Sequence, residues 1–210
     1  MIRKTFILLV IIFSFRLIKA QNNYVNWFKI STELKFKFDD SPFEIRLRPD
    51  DHIFLPGINI ARTDLMAGVK FKNITVFAYS KFDELGGAWL GPRLDFNAFP
   101  FEKKMLIHLQ GRYFFGLNPD SENHFYFINI FSYEIAKFMS VGILGFGKWE
   151  ENQSFNNGIW FMGPLVDFKF PKNFVTSVAY TKDIFSPDIL MLYLKFSYKI
   201  HFHIKNKEEN

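Results

Sequence analysis

Five histidines and a handful of paired charges carry whatever reactive chemistry this chain has. His124 follows Ser121 and Glu122 closely, so a nucleophile, a carboxylate and a base stand within one short segment. Acyl transfer needs those groups to meet in hydrogen-bonding reach, but residues 117–123 have the composition of a solvated loop. His108 falls in the middle of an alternating stretch, on its polar face. His201 and His203 are two apart, which places both on one side of an extended chain. They could share a metal, yet two imidazoles fall short of the three or four ligands of a zinc site. No cofactor, metal or catalytic group is assigned on these patterns. The chain has no Cys, and it contains no Gly-rich phosphate loop and no nucleic-acid-binding pattern.

Charge pairing offers the other chemistry. Arg93 and Asp95 are two residues apart and share a strand face. Together with His108, Arg112, Glu134, Asp167 and Lys169 they make a candidate charge network. The same face carries Lys35, Lys37, Arg46, Arg48, Lys70, Lys104, Lys195 and Lys199, with Glu33 and Glu44 as further acidic partners. If these residues point into an enclosed lumen, they either pair and plug it or line a narrow passage with a mild preference for anions. A buried charge without a partner costs several kcal/mol, so pairing is the expected state.

The elements that would position these groups are strands. In residues 104–115, Lys104, Leu106, His108, Gln110 and Arg112 fall on one face, and Met105, Ile107, Leu109, Tyr113 and Phe115 on the other. Side chains alternate along a strand, so this period of two marks one mostly polar and one apolar surface. Residues 28–38 alternate likewise, and Phe43, Ile45 and Leu47 oppose Glu44, Arg46 and Arg48. The segment Gly91-Pro92-Arg93-Leu94-Asp95-Phe96 recurs as Gly163-Pro164-Leu165-Val166-Asp167-Phe168, and each copy is soon followed by a Phe-Pro turn. These glycines are expected to relieve crowding, and the prolines to sit at bulges or near strand ends.

About 9–11 residues of tilted strand cross a bilayer, and these runs are long enough. The chain has 29 Phe in 210 residues, with 20% aromatic and 49% hydrophobic residues. No internal run reaches the roughly 18 apolar residues of a membrane helix. The spacing therefore predicts an all-β, antiparallel, up-and-down transmembrane barrel, with a strand break at Pro49-Asp50-Asp51. Twelve strands is the preferred count and ten the alternative. Short and long connections alternate, placing residues 83–87, 117–123 and 150–157 at one end and the two Phe-Pro turns at the other. A soluble lipocalin-like barrel has the same period with the faces exchanged.

Residues 1–20 read as an export signal, with Arg3 and Lys4 before an apolar run from Phe6 to Phe15 and with Ala20 before Gln21. An uncleaved membrane anchor is the alternative for this stretch. Residues 21–204 form the barrel domain, and residues 205–210 a polar tail. The formal charge of +5 argues weakly for anionic lipid or anionic solutes.

The final strand carries a resemblance. Lys195, Ser197, Ile200 and Phe202, within an unbroken apolar face from Leu190 to Phe202, resemble the C-terminal assembly signal of bacterial outer-membrane barrels. Ser197 stands where that family usually has Gly, and the chain continues for eight residues past Phe202. The Ala-Gln junction resembles export signals of Bacteroidetes-type bacteria. The resemblance implies a location in the outer membrane of a Gram-negative bacterium. It also implies lipid and the barrel-assembly machinery as partners, and a porin-like channel or a structural membrane protein as the role. A lipid-modifying barrel enzyme and a soluble ligand-binding barrel are the other classes.

Overall fold

The computed structural model describes residues 24–39, 41–55, 60–119 and 121–204. The expected signal at 1–20 and tail at 205–210 lie outside the described residues. Eleven strands follow one another: β1 (Tyr24–Phe38), β2 (Phe43–Leu55), β3 (Ile60–Phe71), β4 (Ile74–Asp83), β5 (Ala88–Ala98) and β6 (Met105–Gly116), then β7 (His124–Ala136), β8 (Met139–Glu150), β9 (Ile159–Phe170), β10 (Phe174–Asp183) and β11 (Leu190–Ile204). Each pairs antiparallel with the next, and β11 pairs with β1 to close the barrel.

The expected counts of twelve and ten are both corrected to eleven. The twelfth strand came from the break at Pro49, and β2 runs straight through it. Pro49 has no N–H to offer β1, so that ladder lapses between Ser31↔Asp50 and Leu34↔Leu47. The register is the same on both sides of the gap, and Pro49 still pairs with Leu65 of β3. One missing donor opens a ladder here without ending the strand.

Eleven also changes the closure. Successive strands reverse direction, so an odd number leaves the first and last parallel. β1 and β11 pair from Tyr24↔Leu190 to Phe38↔Ile204. The expected antiparallel pattern holds at every junction but this one. The parallel seam puts the start of β1 at the end that carries the long connections 84–87, 117–123, 151–158 and 184–189. The opposite end carries the turns at 72–73, 99–104, 137–138 and 171–173, of which 72–73 and 137–138 are two residues each.

Alternation then sorts the side chains. Ile30, Leu65, Val76, Leu94 and Ile143 point outward and are exposed, whereas Lys29, Asp50, Asp64, Arg93 and Arg112 point inward and are at most 5% exposed. Apolar residues cover the outside and charges fill the inside. The lumen has two zones. Its loop-end half is packed with Trp27, Tyr79, Phe114, Tyr126, Phe146 and Phe161, with ring centroids 4.8 Å apart for Tyr126–Phe146 and 5.2 Å for Trp27–Phe146. An eleven-strand lumen is wider than the eight-strand interior that ordinary side chains fill, so bulky rings occupy the space.

The repeated Gly-Pro pair resolves into a backbone device. Gly91 and Pro92 pair regularly with Tyr79 and Ala78 on β4, but the β5–β6 ladder lapses between Leu90↔Phe115 and Arg93↔Arg112. Gly163 and Pro164 do the same between β8 and β10. In both copies a neighbouring carbonyl occupies the place of the missing side chain: a Cβ on Gly91 would lie 1.7 Å from Tyr113 O, and one on Gly163 would lie 2.1 Å from Tyr180 O. The expected placement of the prolines at bulges or strand ends is corrected, since both are mid-strand, outward-facing and without register shift.

Gly91→Ala is therefore expected to lower stability by about 1–3 kcal/mol, as overpacking does. Gly111→Ala, whose Cβ would meet nothing within 4 Å, is expected to change it little. Urea unfolding midpoints of the two variants in detergent check this.

Candidate functional site

The lumen's middle layer is a set of buried ion pairs built across β1–β6. Asp50 and Asp64 stand directly opposite one another on β2 and β3. Two carboxylates in that relation repel, so each needs its own cations. Asp50 receives Lys29 Nζ at 2.6 Å and Arg48 Nε at 2.9 Å. Arg48 also donates to Ser31 Oγ at 3.1 Å.

Asp64 is the hub. Arg62 Nε lies 2.9 Å from its Oδ1, and His52 Nε2 lies 2.8 Å from its Oδ2. The Tyr79 hydroxyl donates to the same carboxylate and accepts from Arg112 Nη1 at 2.8 Å. The tautomer of His52 follows from its other neighbour. Trp27 Nε1 can only donate, and it lies 2.9 Å from His52 Nδ1, so the imidazole proton sits on Nε2, the nitrogen nearer Asp64. Tryptophan, histidine, aspartate, tyrosine and arginine thus form one chain across the barrel.

Asp50, His52 and Asp64 present ligand atoms within 4.8 Å of one another, which is the spacing of a metal site. Lys29, Arg48 and Arg62 already neutralise these acids, and a divalent ion would have to displace them. The arrangement is a cross-linked charge layer and not an open ligand set.

The residues singled out from sequence fall in two places. Arg93 and Asp95 form a two-pronged pair with Nε–Oδ1 at 2.7 Å, and Arg93 lies over the Phe77 ring at 4.9 Å. Arg112 stands opposite Arg93 on β6, and His108 Nδ1 lies 2.9 Å from Asn97 Oδ1 in the same region. Glu134 and Lys169 form an ion pair apart from this layer, near the turn end, and Asp167 faces Ser177 across the β9–β10 ladder. The seven residues therefore do not form a single network. Lys104 sits in the exposed turn at 99–104 and not in the lumen. On β11, Lys195 and Ser197 lie opposite Lys29 and Ser31 at the seam, while Ile200 and Phe202 lie opposite Leu34 and Phe36. The Phe36 and Phe202 rings stack with centroids 4.9 Å apart.

The histidine candidates are engaged elsewhere. Ser121 Oγ accepts from Ala88 N at 3.1 Å and donates to Asn118 Oδ1. His124 Nε2 lies 3.0 Å from Lys81 Nζ, and its Nδ1 lies 3.0 Å from Glu122 O. Among the described residues no hydrogen bond joins Ser121 to His124. His201 and His203 stand opposite Lys35 and Lys37, whose charges oppose a bound cation. At the loop end, Asn123 and Tyr113 donate to Glu151 and lower its pKa, while the neighbouring Glu150 raises that of Glu122.

Sequence reasoning put Lys29 on the polar face of its strand but missed Asp50, His52, Arg62, Asp64 and Tyr79. The signal for Asp50 and His52 was present. Continuing the alternation Glu44, Arg46, Arg48 through Pro49 puts Asp50 and His52 on the inner face. The hub itself pairs residues up to 48 positions apart, from Asp64 to Arg112 through Tyr79, and no local pattern reports that.

Asp64→Ala leaves Arg62 and His52 buried without their carboxylate and is expected to cost about 3–5 kcal/mol. Glu134→Gln removes a pair that is partly open to solvent and is expected to cost about 1 kcal/mol or less. Denaturant titration followed by tryptophan emission compares them.

Neither a family model nor a curated protein nor a solved structure matches this chain, so the case for its role rests on the barrel's own geometry.

Proposed function

We propose that this chain is an outer-membrane β-barrel whose lumen is closed by its own ion pairs: a structural or ligand-binding membrane protein in its resting form and not an open pore. The observation that carries the reading is the reversed polarity of the barrel. Large apolar side chains are exposed on every strand, including Ile30, Ile45, Leu65, Val76, Leu94, Phe131 and Ile143, while the buried interior is rich in Lys, Arg, Asp and Glu. A barrel in water would bring such a surface together with other copies of itself, whereas a bilayer covers it. A lipocalin-like soluble barrel would show the opposite sorting.

Two further features support it. Every strand has at least ten residues, enough to cross a bilayer when tilted. Aromatic residues cluster on the outer face near both ends, as in the girdles of membrane barrels. Phe125 stacks on Trp149 at 4.7 Å near the loop end, and Phe170 meets Phe174 at 5.5 Å near the turn end. Export through residues 1–20 and insertion by the barrel-assembly machinery, read from Lys195, Ser197, Ile200 and Phe202, belong to the same proposal.

The plug follows from the middle layer. Asp50, Asp64 and Asp95 are each paired with buried cations, and aromatic rings fill the lumen on their loop side. An ion would have to break pairs that no water replaces. Small anionic solutes are the class that would pass if the layer opened, because lumenal cations outnumber the acids.

The test is refolding into lipid bilayers, with a heat-dependent gel shift to report folding. The folded protein is expected to insert, to remain electrically silent in a planar bilayer, and to be cut from outside intact cells within connections such as 84–87, 117–123, 151–158 or 184–189 and not at the turns 72–73, 99–104, 137–138 or 171–173. A folded monomer that stays soluble without detergent would overturn the membrane assignment, and steady stepwise currents from the unaltered protein would overturn the plug.

A further inference from the structure

At the loop end, above the ion-pair layer, the lumen holds a cavity of about 450 Å³. That volume suits a small organic molecule. Trp27, Phe146, Phe161 and Met191 supply apolar wall, and Lys81 lies on the β4 side. The chemistry of the cavity turns on that lysine.

Lys81 is only 6% exposed. Its Nζ sits 3.7 Å from the centre of the Trp89 ring and 5.1 Å from that of Phe114, and lies 3.0 Å from His124 Nε2. Among the described residues no carboxylate oxygen lies within ion-pair distance of it. The other charges on the cavity wall are already engaged. Arg62 is held by Asp64, and Lys148 by Glu150 at 3.0 Å. Asp83 accepts from the backbone N–H of Leu85 and Gly87, which folds the 84–87 loop. Asp183 accepts from Trp160, Phe185 and Ser186 N–H in the same way. These two acids fasten loops and bring no oxygen within ion-pair distance of Lys81, and Asp64, directly opposite Lys81 on β3, is taken up by Arg62, His52 and Tyr79.

A buried ammonium beside aromatic faces is partly stabilised by cation–π attraction. It still lacks a carboxylate oxygen at ion-pair distance, which a dehydrated cation requires. The cavity supplies the space for that charge, and its apolar wall sets what must accompany it.

We propose that this cavity is a binding site for a small organic monoanion, a carboxylate with an aromatic or aliphatic body. The carboxylate pairs with Lys81 Nζ, and the body packs against Trp27, Phe146, Phe161 and Met191. Lys81 Nζ, held by rings and an imidazole with no carboxylate oxygen at ion-pair distance, fits a single negative charge, and the apolar wall disfavours a bare inorganic anion. The site lies within the barrel and stands whether or not the outer surface meets lipid.

Trp27 and Trp89 line the cavity, so their emission reports occupancy. The experiment titrates the folded full chain in non-ionic detergent with three probes that share one apolar body: 3-phenylpropionate, 3-phenylpropanol and phenethylammonium. Calorimetry follows the same titrations. Saturable binding of 3-phenylpropionate is expected, about tenfold or more tighter than the alcohol and tighter still than the cation, because a charged hydrogen bond is gained. Lys81→Gln is expected to remove that preference and Lys81→Arg to keep most of it. Lys72→Gln, an equal loss of charge in the 72–73 turn at the other end, is expected to leave affinity within about twofold, because exposed distant charges are screened. Equal affinity for the three probes, no saturable binding, or an anion preference that survives in folded Lys81→Gln would each overturn the proposal. The probe series on the unaltered protein decides the matter even if the Lys81 variants fail to fold.

Discussion

Enclosure is the constraint on which the rest of this structure depends. The closed sheet turns its charged face inward, where bulk water screens it little, so most lumenal charges of the middle layer are paired within the barrel. Asp64 shows how tightly that is met. One carboxylate accepts from an arginine, a histidine and a tyrosine drawn from three different strands, and the tyrosine passes the connection to Arg112 on a fourth. A slip of one residue in any of those strands would carry its charges to the outer face and its apolar residues into the lumen. The pairs therefore select the register as much as they fill space.

Backbone geometry is bent to the same end. Pro49, Pro92 and Pro164 each give up a donor in mid-strand, and each leaves the register intact. In the two Gly-Pro copies, the neighbouring carbonyl takes the position a side chain would need. The two copies sit on β5 and β9, in matching relation to the strands on either side. A repeat that looks in sequence like a functional signature thus serves to let neighbouring strands approach closely while the barrel stays closed.

The two ends of the barrel differ in kind. At the turn end, ion pairs such as Glu134–Lys169 are partly open to solvent. The loop end is knit by hydrogen bonds between successive connections: Asn118 to Gly86, Trp89 to Glu122 and Asn123 to Glu151. Inside that cap the lumen changes from charged to aromatic. Lys81 is the exception there, a cation among rings, and it lies where the molecule keeps open volume. The proposed anion site falls at this end because rings, unlike paired ions, leave a cation's field largely uncancelled.

The sequence by itself determined the all-β barrel, the sorting of residues by face, a turn beginning at Phe99-Pro100, and the pairing of Arg93 with Asp95. Those properties depend on residues one or two apart, and a period of two exposes them directly. Only the tertiary structure decided that there are eleven strands, that the seam is parallel, that Asp50 confronts Asp64, and that among the described residues no carboxylate oxygen comes within ion-pair distance of Lys81. The strand count turned on whether Pro49 ends a ladder or merely opens it, which neighbouring strands settle by pairing on past it. The contents of the lumen turned on register, because side chains from β1, β2, β3, β4 and β6 meet only after closure has set which residues share a level.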